Sequence, residues 1–467
     1  MTSLLIKNAT VVTVDHERRV LRDGAVAVEG DRIVAVGPTD EVAARYPTVE
    51  RTIDARGKVV FPGLVNTHNH LFQTMLKGLG DDRVLSDWFA NMTAPSAVSL
   101  DEETVYHAAM VGCLDGLRSG TTTMLDYFYP HPRAGLDDQI VAALRDSGIR
   151  GIFGRGMMDT GKEFGVPEGI MQDTATILAD CRRVFETYDG SAGGRIKVWF
   201  APAALWSGTR ELYEGISRLA KEYATGVTIH VSETPFDRDS AFKLHGQTEM
   251  DFLESVGLLG PKLLMVHCVY LTPREIRMAR HFDVKISHNP VSNLYLSSGV
   301  APMTEAMASG VTVGLATDGA ASNNTNDMIE VLKFTALMHK GHYLDPTIIT
   351  AEKVLEMATI DGARAVGLED QIGSLEPGKK ADLFIFNPRR SPKSMPYHHP
   401  VSTLVYSAGQ DGVETVIVDG RVIIDDRRFT ELDEDGILGR AQELADRLVE
   451  RAGTGALRER PWRSLSY

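Results

Sequence analysis

The chain reads as an α/β protein: a (β/α)8 barrel joined to a small β-sandwich domain that both termini build. Three patterns carry that expectation. Apolar runs followed by helical stretches recur about eight times between residues 59 and 368. Short β-rich segments broken by turn signals occupy the two ends. Residues capable of ligand or proton-transfer chemistry stand at the C-terminal ends of candidate strands, where parallel α/β folds build their sites.

At the N-terminus, residues 4–14, 25–28 and 33–36 are β-rich runs separated by Gly-Asp and Gly-Pro turn signals. The same texture returns at 381–386 and 414–424, with Asp419-Gly420 placed for a hairpin turn. Between them, strand candidates end at His68 to His70, Asp126, Arg155, Pro202, Glu233, Tyr270, Pro290 and Asp318. Runs such as 263–266 and 311–316 are apolar throughout, as strands covered on both faces require. Eight such units in some three hundred residues fit a TIM barrel; from periodicity alone, a doubly wound sheet is the rival. The expected division is 1–60 for the first part of the small domain, 61–370 for the barrel, and 371–467 for the rest of the small domain with a C-terminal helix. That helix is expected at 437–452, followed by a basic, Trp-bearing tail with a packing role.

Composition narrows the function classes. With 49 Lys and Arg against 63 Asp and Glu, the net charge is −14, which disfavours nucleic acid and anionic membrane as partners. Cys113, Cys181 and Cys268 are too scattered for a disulfide framework or a thiolate site. The first residues lack the features of a signal peptide, and no apolar run reaches membrane-spanning length, so the expected location is cytoplasmic.

The strongest local signal is Phe61-Pro62-Gly63-Leu64-Val65-Asn66-Thr67-His68-Asn69-His70. On a strand, residues i and i+2 share a face, so both imidazoles can converge on one ion. Neutral imidazole suits zinc, iron or nickel. Three other strand ends carry ligand-type or proton-transfer groups: His230 with Glu233, His267 before Cys268, and Asp318 in Thr317-Asp318-Gly319. Singly, each has a bland reading as a core histidine or a turn residue. Together at one end of one barrel, they point to a metal centre.

This ordered set of HxH, HxxE, HC and TDG resembles the amidohydrolase superfamily. Gly373-Ser374-Leu375-Glu376-Pro377-Gly378-Lys379-Lys380-Ala381-Asp382-Leu383 resembles a signature of its small domain. Ser287-His288-Asn289-Pro290-Val291-Ser292-Asn293 and Thr317-Asp318-Gly319-Ala320-Ala321-Ser322-Asn323-Asn324 are similar to S-adenosylhomocysteine/methylthioadenosine deaminases. Residues 188–195 and 355–365, and the ending Pro461-Trp462-Arg463-Ser464-Leu465, are similar to the s-triazine hydrolases, the melamine deaminase and atrazine chlorohydrolase group.

The resemblance implies one divalent metal, zinc by preference with iron and manganese open, held by His68, His70, His230 and Asp318. It implies that His267 and Asp318 orient a water and accept its proton, and that Glu233 protonates a ring nitrogen of the substrate. Binuclear relatives use a lysine at the end of strand four; here that strand ends Phe200-Ala201-Pro202, with Lys197 too far back, which argues for a single ion. The implied activity is deamination of an amino-substituted nitrogen heteroaromatic of s-triazine, pyrimidine or purine type. Dechlorination of a chloro-s-triazine, S-adenosylhomocysteine/methylthioadenosine deamination, cyclic-amide opening and a non-catalytic relative are the alternatives. A homodimer or homotetramer is the implied assembly.

For the pocket, Arg155 matches an arginine of the nucleoside deaminases, whereas Ala97 and Ala203 stand where those enzymes have polar groups for ribose. That favours a smaller planar heterocycle as the small-molecule partner. His288 is a candidate substrate contact or part of a hydrogen-bond network. Phe72, Trp88 and Trp206 are candidates for stacking on a flat ring, each with core packing as the alternative.

Overall fold

In the computed structural model, which describes residues 2–459 and Ser464, eight parallel strands form a barrel and a separate nine-stranded sheet collects the two ends of the chain. The barrel strands are Leu64–Asn69, Thr121–Phe128, Arg150–Met157, Ile196–Pro202, Val227–Val231, Leu263–His267, Lys285–His288 and Val313–Leu315. Neighbours pair in sequence order, and most strand residues are buried on both faces, as their unbroken apolar character requires. Between the last strand and the first, the Asp318 amide donates to the His68 carbonyl at 3.2 Å and Thr67 Oγ1 donates to the Leu315 carbonyl at 3.0 Å.

Several strands stop short of the ends expected from sequence. The fifth ends at Val231 rather than Glu233, the sixth at His267 rather than Tyr270, the seventh at His288, and the eighth at Leu315 rather than Asp318. In the fifth, sixth and eighth strands the reason is local backbone: Ser232, Cys268 and Asp318, beyond the last paired residues, have φ of 50°, 54° and 65°, which a regular strand does not hold, and His267 closes its strand at 68°. Pro290 instead opens the short helix Pro290–Tyr295, where its missing N–H costs nothing.

The terminal sheet follows period-two patterning. Strand Val59–Pro62 pairs with Leu383–Phe386, placing Phe61 opposite Phe384 with ring centroids 5.4 Å apart. Val59, Phe61, Phe384 and Phe386 join the barrel's hydrophobic core; Val60, Leu383 and Ile385 join a second core with Ile6, Val28 and Ile33. Each buried phenylalanine contributes about 1.5–3 kcal/mol. The Ile33 amide donates to the Lys379 carbonyl at 2.9 Å, so the sheet curls back and closes over that second core. Asp419 and Gly420, with φ of 53° and 75°, form the hairpin turn between Val413–Val418 and Arg421–Asp425. Arg150, at the start of the third barrel strand, donates to both oxygens of Asp382 at 2.7 and 3.0 Å and so fastens barrel to sheet.

The C-terminal helix runs Glu434–Ala452, capped by Asp433, and buries Ala441, Leu444, Leu448 and Val449. The tail residues Pro461, Trp462, Arg463 and Leu465 lie outside the described residues.

Candidate metal centre and active site

His68 and His70 leave the first barrel strand on the same side, and His230, His267 and Asp318 meet them from the fifth, sixth and eighth strand ends. Ligand atoms of His68, His70 and Asp318 all lie within 4.8 Å of one another, and so do those of His68, His230 and His267. His68 is common to both sets. Asp318 Oδ1 approaches His68 Nε2 at 3.2 Å and His70 Nε2 at 3.5 Å.

The far side of each ring sets its tautomer. His70 Nδ1 lies 2.6 Å from the Tyr127 carbonyl and His230 Nδ1 lies 2.5 Å from the Ala203 carbonyl. A carbonyl only accepts, so each Nδ1 carries the proton and each Nε2 presents a lone pair to the cluster. The His68 ring is fully buried, and neither of its nitrogens has a hydrogen-bond partner among the described residues. Asp318 keeps Oδ1 toward the histidines because Oδ2 accepts from Ser292 Oγ at 2.6 Å and Ser322 Oγ at 3.0 Å. Buried lone pairs converging on one point are repulsive unless a cation lies between them. Three imidazoles and a carboxylate fit a zinc-type ion with one position left for water.

The backbone holds this arrangement under strain. The left-handed φ of 68° at His267 and 65° at Asp318 is one that side-chain-bearing residues rarely adopt, and it aims both groups inward. At Gly319 a Cβ would lie 1.9 Å from Gln73 Oε1 and 3.0 Å from His70 Cβ, so any other residue would displace the Gln73 side chain from the cavity wall.

Glu233 stands beside the cluster. Its Oε2 is 3.5 Å from His267 Nε2, and its Oε1 accepts from Ser298 Oγ at 3.2 Å. Burial pushes its carboxyl up to about 7, against the lowering pull of His267. Burial works the other way on His267, but the Glu233 and Asp318 carboxylates outweigh it and raise the imidazole above its usual range. His267 Nδ1 is held 2.9 Å from Asn293 Oδ1 and 3.2 Å from Asn289 Nδ2. Burial thus acts in opposite directions on a carboxyl and an imidazole that share one cavity.

That cavity has a volume of about 400 Å³. His70, His230, Glu233, His267 and Asp318 form its polar end, and Leu85, Trp88, Phe89, Phe164, Trp206 and Phe236 line much of the rest. Trp88 donates to the Ala321 carbonyl and Trp206 to Asp237 Oδ1, both at 2.8 Å, leaving ring carbon for contact.

The other residues expected at the pocket are placed as follows. Phe72 is fully buried, packs edge-on against Phe128 and Tyr129, and does not line the cavity. Arg155 turns the other way, donating to Asp180 Oδ2 at 2.8 and 3.1 Å and to Gln172 Oε1 at 2.8 Å. Its place in the middle of a strand decides this: alternate residues face the outer helices, and Arg155 is one of them. His288, also fully buried, lies outside the cavity lining with Nε2 3.2 Å from His339 Nε2. Ala97 is buried on the helix Ala94–Val98 and does not line the cavity, whereas Ala203 does.

Gln73, Tyr129, Ser298, Phe164, Phe236 and Asp237 line the cavity without having been anticipated. Gln73 falls on the turn directly after the HxH pair, and Asp237 four residues beyond Glu233, so proximity to the motifs was a usable signal for both. Phe164 comes from a connecting turn with no pattern of its own.

Comparison with known proteins agrees with this architecture. The amidohydrolase family profile matches residues 59–423, and a bacterial imidazolonepropionase-like composite domain matches residues 24–48. The chain is 37% identical over 451 residues to a 5-methylthioadenosine/S-adenosylhomocysteine deaminase of Pelotomaculum thermopropionicum, covering 97% of this chain and 100% of that one. An adenosine deaminase from Xanthomonas campestris with bound zinc superposes with a TM-score of 0.90 at 30% identity, over 96% and 99% of the two chains. A mutant atrazine chlorohydrolase from Arthrobacter aurescens, complexed with zinc and atraton, gives 0.88 at 27% identity, over 95% and 100%. With the barrel, its terminal sheet and the histidine cluster in place, the chain belongs to the amidohydrolase family.

Proposed function

We propose that this protein is a metal-dependent aminohydrolase that replaces the exocyclic amino group of a neutral nitrogen heteroaromatic, of s-triazine, pyrimidine or purine type, and releases ammonia. The observation that carries this reading is Glu233, a buried carboxyl pushed up to about 7 that lies 3.5 Å from His267 at the edge of the histidine cluster. Loss of ammonia from an aromatic ring needs an acid at the ring, and a carboxyl of this kind holds a proton near neutrality.

His68, His70, His230 and Asp318 would hold one divalent ion, zinc by preference and iron as the second choice. Bound there, the ion would supply Lewis acidity, which lowers the pKa of a nearby water toward neutrality. His267 and Asp318 orient the water and take up its proton. Glu233 donates its proton to the ring nitrogen next to the amino-bearing carbon, which makes that carbon electrophilic. Water oxygen bonds to the carbon, the C–N bond breaks, and the amino group leaves as ammonia with a proton returned from the enzyme. The aromatic and aliphatic walls support a flat ring, and Ala203, at the position where the resemblance implies a polar ribose contact, brings only a methyl to the cavity.

A second reading keeps the same residues and changes the substrate: a 5′-modified adenosine, supported by the deaminase likeness at 37% identity. Dechlorination of a chloro-s-triazine is a third, supported by the likeness to the atrazine chlorohydrolase. The test is a panel of aminotriazines, aminopyrimidines, purine bases, 5′-modified adenosines and chlorotriazines on protein of measured metal content. Ammonia from one of the amines supports the proposal and chooses among its substrates. Absence of ammonia from every amine sinks it, and chloride release without ammonia replaces it by dechlorination.

A further inference from the structure

Ser232 sits between two residues that matter, His230 and Glu233, and its backbone has a φ of 50°. A side-chain-bearing residue holds that conformation only where its surroundings force it. Every polar group of Ser232 is tied down. Its amide donates to Glu249 Oε1 at 3.2 Å, its hydroxyl donates to Glu249 Oε2, and its carbonyl accepts from the Tyr270 amide at 2.9 Å. Glu249 itself is buried, 3% exposed, and lies at the start of the helix Glu249–Ser255. Both oxygens of this one carboxyl are therefore spent on one serine, a bidentate clamp on the turn that leads into Glu233.

The geometry points to Glu249 as a positioning residue: through Ser232 it fixes the left-handed turn that sets the Glu233 carboxyl beside His267. The clamp explains a placement that strand geometry alone does not give. A strand continued past Val231 would alternate its side chains up and down, whereas the turn at Ser232 redirects the chain and brings Glu233 into the cavity with His230 and His267. The catalytic meaning of the clamp rests on the aminohydrolase reading; its structural meaning does not.

Three variants of the metal-loaded protein test it: Glu249→Ala, Glu249→Gln and Ser232→Ala. In a crystal structure of Glu249→Ala, residue 232 is expected to leave the left-handed region and the Glu233–His267 approach to lengthen well beyond 3.5 Å. An unchanged turn overturns the proposal whether or not the protein deaminates anything. On an amine that the wild type turns over, Glu249→Ala should lose at least tenfold in kcat, with KM and metal content retained. Glu249→Gln should recover most of the rate, because its carbonyl still accepts from the Ser232 amide and its NH2 can donate to the hydroxyl. A parallel fall in metal content, or equal losses in the Gln and Ala variants, would mean that the carboxyl only supports the fold. Should Glu249→Ala not fold, Ser232→Ala, which removes the hydroxyl arm alone, must show a smaller loss in kcat at constant KM; a wild-type kcat there overturns the proposal. A wild type inert to every amine removes the aminohydrolase reading and leaves the crystallographic result to decide the clamp.

Discussion

Ser292→Ala and Ser322→Ala probe how the protein holds Asp318. Both hydroxyls donate to Oδ2, at 2.6 Å from Ser292 and 3.0 Å from Ser322, which leaves Oδ1 toward His68 and His70. Outer hydrogen bonds to a metal ligand are worth about 10–100-fold in metal affinity. That range corresponds to about 1.4–2.7 kcal/mol. The Gly319 amide still donates to Oδ1 at 2.7 Å in either variant, so the carboxylate keeps one anchor and each single loss should fall near the lower bound. Ser292, with the shorter bond, should cost more than Ser322. The double variant frees Oδ2 altogether and should approach the upper bound. Equilibrium competition for zinc against a chromophoric chelator at fixed pH measures this without any substrate, with circular dichroism to show the fold intact. The opposing physics is that a carboxylate relieved of donors becomes more basic and binds a cation more tightly. Zinc affinity that stays within about twofold, or rises, in the double variant would therefore refute the idea that orientation is what these hydroxyls provide.

Three further outcomes can be measured. Glu233→Gln should lose about 10²–10⁴-fold in kcat while keeping its metal, since the amide cannot donate an acidic proton; a rate within threefold of wild type would remove the residue from the mechanism. In the wild type the Glu233 proton, held up to about 7, is present below that pH and lost above it, so the rate carried by this acid should fall as pH rises through neutrality. Arg155→Ala should leave KM unchanged and lower stability by about 2 kcal/mol, below the cost for a fully enclosed pair because Asp180 is 22% exposed and regains water. Denaturant melts and Michaelis kinetics on the same preparation separate the two, and a raised KM at unchanged stability would restore Arg155 to the pocket.

Much of this was legible in the sequence because it depends on short-range rules. His68 and His70 share a face by the two-residue repeat of a strand, and the recurring βα pattern fixed the side of the barrel where chemistry collects. The alternation through 381–386 likewise announced the terminal sheet, and Asp419-Gly420 its hairpin. What pattern could not give was the direction of single side chains beyond a strand's last regular residue. Arg155 matched a pocket residue by position yet faces Asp180, because strand parity sends it outward. Phe72 and Trp88 were equal candidates by sequence, and both are buried; only the three-dimensional packing kept Phe72 away from the cavity and made Trp88 one of its walls. His230, Glu233, His267 and Asp318 could be named from their motifs, but their convergence depends on strands that pair across the barrel and on left-handed turns at Ser232, His267 and Asp318. The sequence by itself determined the donors, the fold class and the face that carries them, since these rest on residue type and local period. The tertiary structure decided which atoms meet and which tautomer each imidazole takes. Those depend on carbonyls and hydroxyls contributed by distant segments, such as Ala203 for His230 and Ser292 for Asp318, and no local rule brings such groups together.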